Sequence, residues 1–420
     1  MTKKRQIKGF WWSPHHPEIR CCGELTLDAE EGATLEIFFE RTNAMAGISA
    51  RNTVLHGAGG NGNPITLLFV DSPETTLAGF ITRRSFWAGY VLIGIHVANV
   101  NSFAPNLVRF RMQQLYGWSG LSGFLSDPGS ALKETVIKYR HPEDLTFTVG
   151  ADLTVELGMC SWIKNSGQDQ SVKEDTWISF RSQSGLPLKK CRDLMVVVKH
   201  LLHFASVEPV YAISLEARVK GHGNKAGDRW FDKEIEIWSS SLRDPKTLPP
   251  VPHEWIFRFE DIRSDFVGFM QVWLNYVEKY DEALDCYSST IYHRLPDTMA
   301  HLALTQGLDV YHGERFNSHK KKDFEPKIRQ LVSLHAKSLG IDTKDIADFS
   351  KRVQVTRNYY THHNPYWKST GKVAEKTDLF RMNEKLTLLF QMCVLTDIGI
   401  KPERFGLLKR QIATFVTDFF

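Results

Sequence analysis

The stretch TRNYYTHHNP, residues 356–365, places Arg357, Asn358, His362 and His363 within ten residues and ends on a proline. Histidine carries protons near neutral pH, and arginine offers a forked cation to phosphate or carboxylate. The set therefore has the parts for general acid–base chemistry beside an anion. The same Arg-Asn-x-x-x-His spacing recurs in RNTVLH at residues 51–56. In a 420-residue chain with 24 arginines and 16 histidines, chance supplies roughly one Arg-x4-His pair. Spacing alone decides nothing, so the elements that carry each copy must separate them.

The first copy runs into TVLHGAGGNGNPITLLFVD. Thr53, Val54 and Leu55 favour a strand, on which Arg51 and His56 project to opposite faces. The GAGGNG of residues 57–62 matches G-x-G-x-x-G. A strand is predicted after it, so it reads as a hairpin turn with no helix N-terminus to receive a pyrophosphate.

The second copy lies near the end of a predicted helix. Asp342 or Thr343 is the expected cap, Ile346, Phe349, Val353, Thr356 and Tyr360 form the expected buried stripe, and Pro365 pushes Asn364 out of helical geometry. Four residues apart, Asn358 and His362 stack on one face, about 40° apart around the axis, whereas Arg357 is about 140° from His362. Convergence needs a long side chain, a relaxed last turn, or a second copy of the helix across a dimer axis. A helix C-terminus also favours arginine and histidine for capping alone, and residue chemistry leaves both readings open.

Around these motifs the chain changes texture once. From residue 6 to about 240, segments such as ATLEIFFE, YVLIGIHV and DLTFTVGADLTVEL alternate apolar and polar residues between Gly, Pro, Asn and Asp clusters, which predicts antiparallel, sandwich-like sheets. One helix interrupts them at 187–207, with Leu194, Val197, Val198, Leu201 and Leu202 on one face. DPKTLPPVP at 244–252 reads as a linker. Beyond it helical periodicity prevails: Phe266, Phe269, Met270, Trp273 and Val277 share a face, a helix is expected from Asp297 to His312, and four more candidates follow to the C-terminus. The predicted fold class is α+β, with a β-rich domain at 1–243, a linker at 244–254 and an all-α bundle at 255–420.

Composition narrows the class. Hydrophobic residues make up 42% and charged residues 24%, as in globular proteins, and a net charge of +4 gives no global basic field for nucleic acid. The six cysteines form no C-x-x-C pair and, apart from the Cys21-Cys22 doublet near His15 and His16, no spacing suited to zinc, which favours reduced thiols over a metal or disulfide framework. The most apolar run, residues 86–100, is too short to span a bilayer. A cytoplasmic location is the default expectation.

RNYYTH within a late helix of an all-helical C-terminal domain resembles the Arg-polar-x3-His motif of HEPN ribonucleases. The preceding DFSKRVQVT and the following HNP are similar to the ApeA-like branch, in which a β-rich N-terminal domain precedes the HEPN bundle and the protein acts in anti-phage abortive infection. The resemblance is strongest over residues 295–415. It implies a metal-independent endoribonuclease toxin, with no cofactor, that cuts RNA, tRNA above all, when infection triggers it. It implies His362 as general acid/base, Arg357 on the scissile phosphate and Asn358 as the polar residue that orients it. Homodimerisation with motif helices facing each other, and a phage-derived protein as trigger, belong to the same expectation. An acidic residue on an earlier helix often braces the arginine in this family, and Asp309 is the candidate here, although Gly307 weakens the predicted helix. His363, Tyr366 and Trp367 are candidates for contacting or stacking on RNA. Lys351, Arg352 and the basic run SHKKKD at 318–323 are candidates for a phosphate track, or a solvated face. The alternative is a non-catalytic dimeric regulatory protein whose β-rich domain binds a ligand and whose bundle dimerises.

Overall fold

A computed structural model describes residues 4–40, 53–78, 81–126, 137–166, 169–226, 229–243, 254–293, 295–319, 323–406 and 408. The chain divides into two units, residues 1–200 with 210–251 and residues 201–209 with 252–420. Of the linker expected at 244–254, all but Glu254 lies outside the described residues, as do Arg51, Asn52 and Lys320 to Lys322.

In the N-terminal unit, β1 (Arg5–Trp12), β2 (Cys21–Asp28), β3 (Gly32–Glu40), β4 (Val54–Gly59), β5 (Pro64–Ala78) and β6 (Ile81–Ile93) come first. They are followed by β7 (Leu107–Met112), α1 (Leu115–Ser119), β8 (Phe124–Ser126), β9 (Ile137–Tyr139), β10 (Leu145–Val149), β11 (Leu153–Ser166) and β12 (Asp169–Ser182). The helix α2 (Leu188–Ser206) precedes β13 (Ala212–Ala226) and β14 (Arg229–Trp238). Strands β8 and β9 pair apart from the rest, and the other twelve follow the order β10-β11-β12-β7-β13-β14-β6-β3-β2-β1-β4-β5. Because β5 also pairs with β6, the six strands β6-β3-β2-β1-β4-β5 close into a barrel. On one edge β6 pairs with β3 over Ile81–Ala88 and with β14 over Val91–Ile93, so this strand passes from the barrel into the open sheet. Every strand pair named in the ladder is antiparallel.

Alternation explains the barrel core. Leu25 and Leu27, Leu35 and Ile37, and Ile65 and Leu67 point inward two residues apart and pack with Trp11 and Phe86. Gly57 makes room for them, since a Cβ there would lie 2.3 Å from the Trp11 ring. The predicted sandwich-like layering thus takes the form of a ring with an attached sheet. Alternation reports which face is buried but not whether two edges meet.

In the C-terminal unit, α3 (Phe259–Ile262), α4 (Phe266–Lys279), α5 (Asp281–Tyr292), α6 (Asp297–Phe316), α7 (Phe324–Leu339), α8 (Ile346–His362), α9 (Pro365–Ser369) and α10 (Thr377–Asp397) form the bundle. Phe266, Met270, Trp273 and Val277 are buried on α4 along the predicted face. Helix α5 has no counterpart in the expectation from sequence. It buries Ala283, Leu284 and Tyr287 and is otherwise polar, too thin a stripe to register as periodicity. The last predicted helix, from residue 402, is described only as far as residue 408. No helix among the described residues is long and apolar enough to cross a membrane.

Candidate functional site

The two Arg-Asn-x-x-x-His copies meet different structural contexts. His56 of the first lies on β4, stacked on His96 with ring centroids 4.5 Å apart, and its Nε2 pairs with the carbonyl of Val97. GAGGNG ends β4 and turns directly into β5, with Gly62 at φ 78°. The glycine makes a hairpin there, as predicted.

The second copy occupies the last turns of α8. Neither Asp342 nor Thr343 caps this helix with its side chain, a correction to the expected start. Instead a 3-10 turn, Thr343–Asp345, leads into it. The buried face differs from the predicted stripe: Ser350 and Val355 are buried along with Ile346, Val353 and Thr356, whereas Phe349 and Tyr360 are only half-buried. At the other end His363 adopts φ 48° and donates its backbone N–H to the Tyr359 carbonyl at 2.6 Å. Histidine tolerates this left-handed cap better than most residues. Asn364 is extended, and its Oδ1 accepts the Tyr366 N–H at 3.0 Å, with Pro365 opening α9. Two helices therefore meet at a sharp, exposed corner. Tyr360 pins the corner to the segment before α10 by donating to the Ala374 carbonyl at 3.1 Å, while the Ala374 N–H reaches Thr356 Oγ1 at 3.0 Å.

Arg357 turns inward from this corner. Its Nη1 donates to Asp309 Oδ2 at 3.2 Å, its Nη2 approaches Gln306 Oε1 at 3.4 Å, and its Cζ lies 4.5 Å over the Phe324 ring. The other oxygen of Asp309 accepts from Lys327 Nζ at 2.7 Å, and Lys327 is only 7% exposed. One carboxylate on α6 thus serves two cations, one from α7 and one from α8. Gln306 and Asp309 are three residues apart on α6, as are Phe324 and Lys327 on α7, so each pair shares a helix face. Gly307 does not break α6. A Cβ there would come within 3.1 Å of the Ala283 carbonyl oxygen and 3.2 Å of Cys286 Cβ, so the missing side chain lets α5 approach.

His362 faces the other way. It is exposed, as are His363, Asn364 and Tyr366, while Asn358 and Trp367 are half-buried. Neither Asn358 nor His362 makes a side-chain hydrogen bond to any other described residue. The Tyr366 and Trp367 rings lie 5.3 Å apart at 68°, edge to face, with Tyr366 64% exposed. Lys368 pairs with Glu375 at 2.7 Å, and Arg352 with Asp378 at 3.1 Å. Behind the site His301 is buried, with Nδ1 on Asn383 Oδ1 at 2.9 Å. Burial is the main cause that lowers its pKa to about 4, and the charge of Arg357 adds to it. His301 is thus a neutral structural imidazole near neutral pH. Among the described residues no group of three or more His, Cys, Asp or Glu side chains is placed to hold a metal ion.

Residues 6–273 match the family model of ApeA N-terminal domain 1, and residues 300–404 match that of Apea-like HEPN. The chain belongs to the ApeA-like HEPN family. The HEPN match covers α6 through α10, and with them Asp309, Lys327, Arg357 and His362. It points to a HEPN nuclease in anti-phage defence. Neither the curated proteins nor the solved structures give a match to this chain. Gln306, Phe324 and Lys327 of the HEPN site escaped the sequence reading. The one available signal was a lysine on the same face as Phe324, Ile328 and Leu331, where α7 otherwise buries apolar residues and His335.

Proposed function

We propose that this protein is a metal-independent endoribonuclease of an abortive-infection system, idle until a phage-derived protein acts through the N-terminal unit. What carries the reading is an exposed His362, without a side-chain hydrogen bond to any other described residue, at an open helix corner of an Apea-like HEPN domain, about 1.4 helix turns beyond an arginine braced by Asp309. His362 takes the proton from the ribose 2′-OH as that oxygen attacks phosphorus, and a protonated imidazole returns one to the departing 5′-oxygen. Arg357, oriented with help from Asn358, stabilises the charge on the phosphorane oxygens. The products are a 2′,3′-cyclic phosphate, or the 3′-phosphate it hydrolyses to, and a 5′-hydroxyl. Tyr366, Trp367 and His363 provide stacking and polar contacts for an unpaired loop, for which tRNA is the fitting substrate.

HEPN domains often dimerise. A two-fold axis bringing two α8 corners together would set the His362 of one copy beside the Arg357 of the other, resolving the roughly 140° between them on one helix. The decisive experiment is sequencing of RNA 5′ ends in infected cells carrying wild type or His362→Ala. New 5′-hydroxyl ends in the wild type alone are expected, and purified triggered protein should cleave in EDTA. Undiminished cleavage by His362→Ala would sink the proposal.

A second reading, a non-catalytic dimeric regulator, draws on the Asp309 ion pair and the Phe324 stack, since a structural arginine is held in the same way. It requires that Arg357→Ala and His362→Ala both lower the unfolding temperature and that the wild type is harmless at every expression level.

A further inference from the structure

Helix α7 brings to the HEPN site a cation that the cleavage chemistry leaves without a role, Lys327. Its Nζ lies 2.7 Å from Asp309 Oδ1 and its side chain is nearly buried. An ammonium that left this carboxylate would lose its counter-charge without gaining water, so Lys327 is the fixed partner of Asp309. Arg357 holds the other oxygen more loosely. Its bonds to Asp309 and Gln306 measure 3.2 Å and 3.4 Å, against about 2.7–2.9 Å for ordinary charge-assisted pairs. The same bundle shows how a tightly held arginine looks. On α6, Arg315 Nη2 lies 2.9 Å from Asp397 Oδ1 and its Nη1 lies 2.6 Å from the Tyr311 hydroxyl. The two arginine side chains are almost equally exposed, 24% for Arg315 and 22% for Arg357, so exposure does not account for the difference.

An arginine drawn inward to a carboxylate cannot give its full charge to a phosphate until it leaves. Departure from a single partner would strand a partly buried carboxylate, and that cost would hold the arginine in place. Lys327 changes the balance. When Arg357 departs, Asp309 keeps its 2.7 Å bond to a buried ammonium and stays neutralised. What then retains Arg357 is the long bond to Gln306 and the Phe324 ring, 4.5 Å below its Cζ. A stack of this kind at a partly exposed site is a weak tether.

We propose that Lys327 is a positioning residue that neutralises Asp309, so that Arg357 can leave this carboxylate for the scissile phosphate of an incoming RNA. That destination rests on the nuclease reading, whereas the release of the arginine does not.

The test is phenylglyoxal labelling of the full-length protein purified from uninfected cells, followed by mass spectrometry of the arginine peptides. The reagent attacks guanidinium groups that are out of their ion pairs. Lys327→Met leaves Asp309 to Arg357 and should slow Arg357 labelling about fivefold or more, since the reagent meets only the released fraction. Loosened packing would speed labelling instead, so the sign separates the two causes. Lys327→Arg should restore the wild-type rate, and Arg315 should label alike in every variant as the internal reference. Lys327→Gln should slow Arg357 labelling in the same direction should Lys327→Met fail to fold. In infected cells, Lys327→Met should lower the yield of new RNA 5′-hydroxyl ends about tenfold or more, and Lys327→Arg should recover it. Equal Arg357 labelling in the wild type and the Met and Gln variants would overturn the proposal. So would a wild-type yield of 5′-hydroxyl ends from Lys327→Met. Slowed labelling together with no new 5′-hydroxyl ends even in the wild type would support the release of Arg357 and overturn the nuclease reading.

Discussion

Asp309 accepts from a nearly buried Lys327 and from Arg357, so its removal strands two cations at once. Asp309→Ala is expected to cost about 3–5 kcal/mol, the range for breaking a buried ion pair from one side. Lys327→Met leaves Asp309 with Arg357 and refills the space, and it is expected to cost about 1 kcal/mol. Urea midpoints of the two variants check this order, and equal losses would show that the carboxylate does not do double duty. At His362 the expectation reverses. His362→Ala should leave the unfolding temperature unchanged, because the side chain is exposed and unbonded to other described residues. It should lower RNA cleavage by about 10²–10⁴, the usual share of general acid–base catalysis, measured as single-turnover rates on the triggered protein. The motif residues were legible in the sequence, and their opposite orientations followed from helix geometry. Of the partners of Arg357 only Asp309 was anticipated, through the family resemblance; Gln306, Phe324 and Lys327 were not, because they come from two other helices and acquire meaning only where three helices meet.

Helix α6 carries both the brace for Arg357 and two positions where its packing can be tested. Gly307 sits where α5 crosses, so Gly307→Val, which puts branched carbon within 3.1 Å of the Ala283 carbonyl oxygen, should destabilise by about 1–3 kcal/mol. An exposed helical glycine would gain from added side chain, so the sign of the change in unfolding temperature decides whether this glycine is a spacer or a weak point. His301 makes α6 acid-sensitive. Its folded pKa is depressed to about 4 from an ordinary 6.5, so the unfolded chain binds the proton more readily between those values. The stabilisation is complete above about pH 6.5 and disappears as pH falls toward 4, a difference on the order of 3 kcal/mol. Thermal unfolding at pH 7 and pH 4.5 should show a smaller acid-induced drop for His301→Gln than for the wild type. Helix α6 itself was readable from its apolar spacing, while α5 was not, since three buried residues in twelve leave no period to detect.

For the whole molecule, the division between residues 251 and 252 falls within the expected linker, but one segment of the β-rich half crosses to the other unit. Leu201–Pro209, from the end of α2, belong to the C-terminal unit, where Phe204 stacks on Tyr287 at 5.6 Å and His203 Nε2 pairs with the Tyr287 hydroxyl at 2.9 Å. Ile256 also donates its N–H to the Ala205 carbonyl. A fragment starting at residue 252 is therefore expected to unfold at a clearly lower temperature than the same fragment with residues 188–209 supplied as a peptide. Circular dichroism melts would detect this, and equal melts would show that the α2 end is dispensable. By itself the sequence determined the α+β class, the order of strands before helices, the hairpin at GAGGNG and the placing of Arg357 and His362 near a helix end, because each depends on local period or on turn chemistry. Tertiary structure alone decided that the strands close into a barrel, that one carboxylate braces two cations and that the end of α2 belongs with the bundle. Those outcomes depend on which distant segments meet, and a residue's own neighbours in the chain carry no record of that.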